Sequence, residues 1–230
     1  MKNKKLAIIT ARGGSKRIPR KNIKLFNGFP IIKYSIEAAL KSNVFDEVMV
    51  STDDEEIAEI AIKYGASVPF FRSQKNSDDH SGTAEVIEEV ILDYKNKNML
   101  FDYVCCIYPT APFVTAVIIK QAMSKLISFS ADCVLPVVRY SYPVQRSLKI
   151  VNGSVLMNWP ENYSARSQDL SPFFHDCGQF YCLNVKSLLE QKKLFAKKTI
   201  PIEISELEMQ DIDNDVDWKL AELKYKLIHN

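Results

Sequence analysis

Short apolar runs alternate with helix-period segments through the first 140 residues, and that alternation restricts the fold more than any other feature of the chain. Leu6-Ala7-Ile8-Ile9, Glu47-Val48-Met49-Val50-Ser51, Asp102 to Tyr108 and Cys133 to Val138 read as strands, with Val68 to Phe71 a shorter one. Between them, Ile31 to Leu40, the stretch through Ile57, Ile60 and Ala61, Thr83 to Tyr94 and Val114 to Ile127 carry apolar residues at helical spacing. Thr52, with Glu55 three residues on, is the expected cap of the second helix, and Gly65 its stop. Apolar strands separated by helices predict an α/β fold whose mostly parallel sheet is covered on both faces. Ligands of such sheets bind beyond the carboxyl ends of the strands. Here that means the loop after the first strand and the turns Ser51-Thr52-Asp53 and Tyr108-Pro109-Thr110.

The pattern changes between 139 and 177. Leu148 to Met157 reads as a hairpin turning at Asn152-Gly153, within a polar and aromatic segment that includes Pro143, Pro160 and Pro172. This stretch is expected to leave the main sheet as a lid or a subunit contact. Gln179 to Leu183 returns to strand. The end reads as a strand into Asp211-Ile212-Asp213 and a helix around Trp218 to Leu223, which Asp215 or Asp217 is placed to cap. At 230 residues the chain suits one domain, 1–230, with the excursion inside it.

Net charge is only +2, so no overall field favours nucleic acid or a membrane. Its distribution is more telling: residues 2–24 carry nine Lys or Arg and no acid, and residues 203–222 carry eight acids against one Lys. A fold joining these ends would set cations for phosphates beside carboxylates for a metal; the plainer alternative is two solvated surfaces. Five cysteines without CxxC spacing read as reduced core thiols. Cys105 and Cys106 should face opposite sides of one strand. No leader and no spanning helix are expected, because the longest uncharged stretch, Tyr103 to Ile119, is interrupted by Pro109 and Pro112. The expectation is a cytoplasmic protein. His80, His175 and His229 are isolated, and His175 beside Asp176 reads as an ordinary hydrogen-bonded histidine.

After the first strand comes Ala11-Arg12-Gly13-Gly14-Ser15-Lys16-Arg17-Ile18-Pro19-Arg20-Lys21-Asn22. Two of the chain's seven glycines stand here among Arg and Lys. Glycine lets backbone N–H groups approach phosphate oxygens, and the cations neutralise their charge. The loop matches neither the P-loop nor the dinucleotide pattern, so its spacing points to an oligophosphate without naming one.

At this motif the chain resembles the acylneuraminate cytidylyltransferases, which activate sialic acid and related nine-carbon acids. The likeness continues through Val50-Ser51-Thr52-Asp53, Phe71-Arg72, Pro109-Thr110-Ala111-Pro112, Arg166-Ser167-Gln168-Asp169, Asp211-Ile212-Asp213, Asp217 and Ala221-Glu222. It implies a three-layer Rossmann-like nucleotide-diphospho-sugar transferase fold, with CMP transferred from CTP to the anomeric hydroxyl of a sugar acid and pyrophosphate released. It assigns Ala11, Arg12, Gly13, Gly14, Ser15, Lys21 and Asn22 to the nucleotide, with Arg72 and Ser81 on the cytosine side. Read without the resemblance, Arg72 is a surface salt-bridge residue. A homodimer formed through 139–177 is also implied.

Asp211 and Asp213, at i and i+2 of a strand, would project from one face. Two carboxylates with phosphates and water suit Mg²⁺; a run of Asp favouring a helix start is the competing reading. No protein nucleophile is needed, since the sugar hydroxyl attacks, and Arg12, Lys21 and Asp211 are the expected catalytic groups. The proton acceptor stays open between Asp211 and a hydroxide on the metal. Arg166 is the candidate for the sugar carboxylate, with an ion pair to Asp169 as its alternative. Tyr108, Thr110, Gln168 and Gln179 complete the expected acceptor side. Tyr108 stands where the sialic-acid group carries Gln, and an aromatic face suits a more deoxygenated sugar. Together with Tyr140 to Arg146 and Gly178 to Tyr181, it resembles the pseudaminic acid branch, with sialic or legionaminic acid as the runner-up. A non-catalytic nucleotide-binding module and a glycosyltransferase are the competing classes. Arg12, Lys21, Asp211 and Asp213 occurring together disfavour the first, and the absence of an acceptor domain disfavours the second.

Overall fold

A computed structural model describes residues 3–78 and 81–229, which leaves His80 outside the described residues. β1 (Lys5–Thr10) runs into the basic loop, a small ribbon of β2 (Leu25–Phe26) and β3 (Phe29–Pro30), and α1 (Ile32–Ser42). Then come β4 (Glu47–Ser51), α2 (Glu55–Lys63), α3 (Thr83–Asn96), β5 (Tyr103–Ile107), α4 (Ala116–Ser128) and β6 (Cys133–Arg139). The excursion contains β7 (Leu148–Val151) and β8 (Ser154–Met157), with Asn152 and Gly153 both at positive φ in the turn. β9 (Phe174–Asp176), β10 (Phe180–Asn184), α5 (Val185–Gln191), β11 (Thr199–Glu203) and α6 (Asp215–His229) follow.

The sheet order is β11-β6-β10-β5-β1-β4, and β9 also pairs with β6. β4, β1 and β5 are parallel, as are β6 and β11. β10 runs against both β5 and β6, so its beginning lies at the edge where the parallel strands end. Between β9 and β10 the chain bends at Gly178, whose φ of +58° suits glycine.

Alternation along the strands sends side chains to two cores. Ala7, Ile9, Val50, Cys105 and Ile107 pack with α1, α2 and α4. Leu6, Ile8, Met49, Val104 and Cys106 pack with α3 and α5 on the other side. Cys105 and Cys106 therefore divide as expected, and all five cysteines are free and buried. Burial pushes the Cys106 thiol up to about 12, which suits packing better than reactivity.

A third, smaller core joins the two charged ends. Ile18 from the basic loop and Phe26 from the ribbon pack with Ile212, Trp218 and Ala221 from the C-terminal segment, and with Ile31 and Phe113. The Phe26 ring meets Trp218 at 5.8 Å and Tyr225 at 5.5 Å, both edge-on.

Four local expectations need correcting. Val68 to Phe71 forms no strand; only Ser67 bridges to Met49. The cap of α2 is Asp54, whose carboxylate accepts from the Ile57 N–H, while Thr52 accepts from the Asp54 N–H. Asp211 to Asp213 is not a strand, although Ile212 alone is buried, so the residues still alternate inward and outward. At α6 the cap is Asn214, accepting from the Val216 and Asp217 N–H groups. Asp217 reaches back to the N–H groups of Asp213 and Asn214. Among the described residues, no helix is long and apolar enough to cross a membrane.

Candidate active site

A cleft of about 290 Å³ opens where β1 and β5 end and α3 begins. Arg12, Ser15, Lys21 and Asn22 line it from the basic loop, Arg72 and Ser81 from one wall, and Tyr108 and Thr110 from the turn after β5. Parallel strands deliver these residues to one edge, and the α3 N-terminus adds outward-pointing N–H groups that favour an anion. Thr10, Asn76 and Thr83 also line the cleft. Sequence reasoning passed over all three, because a strand-end threonine and short loop polars carry no spacing signal.

The loop's cations do not share one task. The Arg17 guanidinium lies 2.6 Å from the Asp213 carboxylate. Arg20 is held by Asp54 and Glu56. Arg12 lines the cleft and donates to the Asp78 carbonyl at 2.7 Å. The buried Asn22 amide donates to the Arg12 carbonyl at 2.8 Å, so at least one of its groups shapes the loop. Arg72 is buried and its guanidinium donates to the Ser51 hydroxyl at 3.0 Å and carbonyl at 2.6 Å. It belongs to the cleft floor and is not a surface salt bridge. Ser81 bonds the Lys75 carbonyl and the Asp78 carboxylate.

Lys21 connects the chain's two ends: its Nζ donates to the Ile212 carbonyl at 2.7 Å. Burial lowers its pKa, while Asp213 and Asp211 work against that. Asp211 is displaced the other way, upward, first by desolvation and then by the charge of Asp213. Two carboxylates set close enough to repel face a lysine and an arginine, which offset their charge. Hard oxygen donors in that number suit a magnesium ion that also binds phosphates and water. Among the described residues no group of three or more His, Cys, Asp or Glu gathers as a metal cluster, so any ion here draws its remaining ligands from elsewhere.

On the remaining side, the Tyr108 hydroxyl meets Thr83 Oγ1 at 2.9 Å and its ring lies 5.8 Å from Tyr181. Three expected acceptor residues lie apart from this cleft. Arg166 is exposed and donates to Asp169 at 2.8 Å, the arrangement its alternative reading described. Gln168 lines a separate hollow of about 470 Å³ beside the excursion. The buried Gln179 amide donates to the Glu208 carbonyl at 2.7 Å. Ala11 is buried beneath the loop, and Gly14 leaves open space where a side chain would stand.

Residues 6–201 match the protein family described as Cytidylyltransferase. The chain is 43% identical over 227 residues to a pseudaminic acid cytidylyltransferase of Campylobacter jejuni, covering 98% of each. It is 33% identical to a CMP-N,N'-diacetyllegionaminic acid synthase of Legionella pneumophila, covering 94% of each. An N-acylneuraminate cytidylyltransferase A of Danio rerio is 37% identical, matching 94% of this chain and 49% of its own length. Among solved structures, a CMP:2-keto-3-deoxy-manno-octonic acid synthetase complexed with CTP superposes with a TM-score of 0.71 over 99% of both chains at 16% identity, a likeness of fold.

Proposed function

The chain belongs to the cytidylyltransferase family, and from that membership we propose that it transfers CMP from CTP to the anomeric hydroxyl of pseudaminic acid, releasing pyrophosphate. The observation that carries the reaction is the meeting of the cationic beginning with the anionic end, Lys21 to Ile212 and Arg17 to Asp213, at the rim of the nucleotide-sized cleft. The acceptor rests on the 43% identity to a pseudaminic acid enzyme along nearly the whole chain, against 37% for the N-acylneuraminate relative and 33% for the legionaminic one.

In this reading Arg12, Ser15 and Lys21 bind the triphosphate, with the Gly13-Gly14 backbone close to it. Arg72 and Ser81 face the cytosine, where a fork already anchored on Ser51 loses little freedom on binding. Asp211 and Asp213 would hold Mg²⁺, whose charge would stabilise the negative charge that builds on the α-phosphate and the departing pyrophosphate. Lys21 offsets part of the same charge. Asp211 or a hydroxide on that ion would take the sugar's proton. The enzyme's main contribution is position, since both reacting groups belong to the substrates. A homodimer through the excursion and a cytoplasmic location complete the proposal.

Pyrophosphate release is measured with CTP and, in turn, pseudaminic, legionaminic and N-acetylneuraminic acid. The expected order places pseudaminic acid first in kcat/KM, and a preference for N-acetylneuraminic acid would remove the acceptor assignment. Arg12→Ala and Asp211→Ala are each expected to cost at least about 10³-fold in release while keeping the folded spectrum. Wild-type turnover by either variant takes that residue out of the mechanism.

A further inference from the structure

We propose that Arg20, Asp54 and Gly13 form a latch that holds the phosphate-facing loop in its binding shape before nucleotide arrives. Arg20 and Asp54 are then positioning residues for the transfer, an inference that rests on the function proposed above. Arg20 sits in the left-handed backbone region, φ 54° and ψ 30°, immediately before the single turn Lys21–Ile23. Non-glycine residues adopt that region at a cost, which the surrounding structure must offset. The turn it creates sends Lys21 to the Ile212 carbonyl and Asn22 to the Arg12 carbonyl.

The Arg20 side chain supplies the offset. Its guanidinium grips Asp54 with both forks, Nη1 to Oδ2 at 2.5 Å and Nη2 to Oδ1 at 2.9 Å, and also meets Glu56. Asp54 is itself anchored, because the same Oδ1 caps α2 by accepting from the Ile57 N–H at 3.0 Å. On the other side of the loop, a Cβ on Gly13 would stand 2.6 Å from Asp54 Oδ2 and 3.0 Å from its Cβ. The Gly13 N–H donates to the neighbouring Asp53 at 2.9 Å. Loop and helix thus touch at three points, and Gly13 is needed as much for the approach of Asp54 as for a phosphate. The Arg20 charge is directed into the protein and is not available for the cleft.

Arg20 and Asp54 are joined by two parallel hydrogen bonds with side chains only 39% and 21% exposed, so positioning is separated from mere structure by substitutions that spare the fold. Arg20→Gly keeps the left-handed turn without strain and removes the fork, while Asp54→Asn keeps the helix cap and removes the charge. In each variant, amide exchange across residues 13–22 of the ligand-free protein is expected to quicken by at least about tenfold. The kcat/KM for CTP should fall about 10²-fold, with Tm within about 4 °C of wild type. The double variant should be little worse than either single one. Unchanged loop exchange in both variants, or wild-type kcat/KM in both, overturns the latch. If the unaltered protein releases no pyrophosphate and the variants still loosen the loop, the latch stands and the assigned reaction falls.

Discussion

Lys21 has its charge penalised by burial, and Asp213 and Asp211 only partly restore it, so it loses its proton below the ordinary lysine value of 10.5. The cation is the form that can meet a triphosphate. The kcat/KM for CTP reports ionisations of the free enzyme, so its alkaline limb should fall below pH 10.5. Lys21 itself does not favour unfolding there, because a lysine whose pKa is lowered in the fold makes stability rise with pH. Buried thiols such as Cys106, pushed up to about 12, make it fall above pH 9. The folded fraction is therefore followed by circular dichroism at each pH, and the limb is read only where it is complete. A rate flat to pH 10.5 and beyond, measured with saturating acceptor, separates Lys21 from the triphosphate. Lys21 was legible because lysine, glycine and arginine crowd one short stretch after a strand. The division of labour among those cations was not. Nothing in the spacing says that Arg17 turns to Asp213 and Arg20 to Asp54, since both partners come from distant parts of the chain.

At the scale of elements, the sequence was most readable where local chemistry decides and least where pairing does. The hairpin β7–β8 was legible to the residue, because Asn152-Gly153 sets its turn. The run Val68 to Phe71 has strand composition but finds no neighbouring edge beyond Ser67, and stays irregular. The reversed direction of β10 had no local signature at all. The small core around Trp218 is similarly non-local, yet it is what brings Asp211 and Asp213 to Lys21. Ile212 and Ile18 are buried in it while their charged neighbours face outward. Trp218→Ala should cost about 3–5 kcal/mol by denaturant titration, the usual result of emptying so large a site. Its kcat/KM should fall even far below the unfolding midpoint, as the carboxylates lose their backing. Trp218→Phe, which keeps an edge-on partner for Phe26, should retain most of both. Full activity in a folded Trp218→Ala protein would mean that the acidic segment is held by its hydrogen bonds to Lys21 and Asp217 alone.

For the molecule as a whole, the excursion poses the question that one chain leaves open. In β7–β8 the register pairs Leu148 with Met157 and Ile150 with Val155. Strand alternation puts these four side chains on one face, so that face is wholly apolar. It is also bare: Leu148 is 60% exposed, Ile150 77% and Val155 61%. A two-stranded ribbon is marginal in water without something to pack on, and Trp159, Tyr163 and Phe173 lie exposed close by in sequence. A second copy presenting the same ribbon would cover this face, as the proposed homodimer requires. Sedimentation velocity is expected to give a dimer for the unaltered protein. Pairing only in the folded state also makes Tm rise with protein concentration. Ile150→Asp combined with Val155→Asp places two charges on the bare face without touching the sheet. That variant should sediment as a monomer, and its Tm should no longer depend on concentration. An unaltered protein that stays monomeric at every concentration tested would leave the apolar ribbon to a different partner and end the case for a dimer.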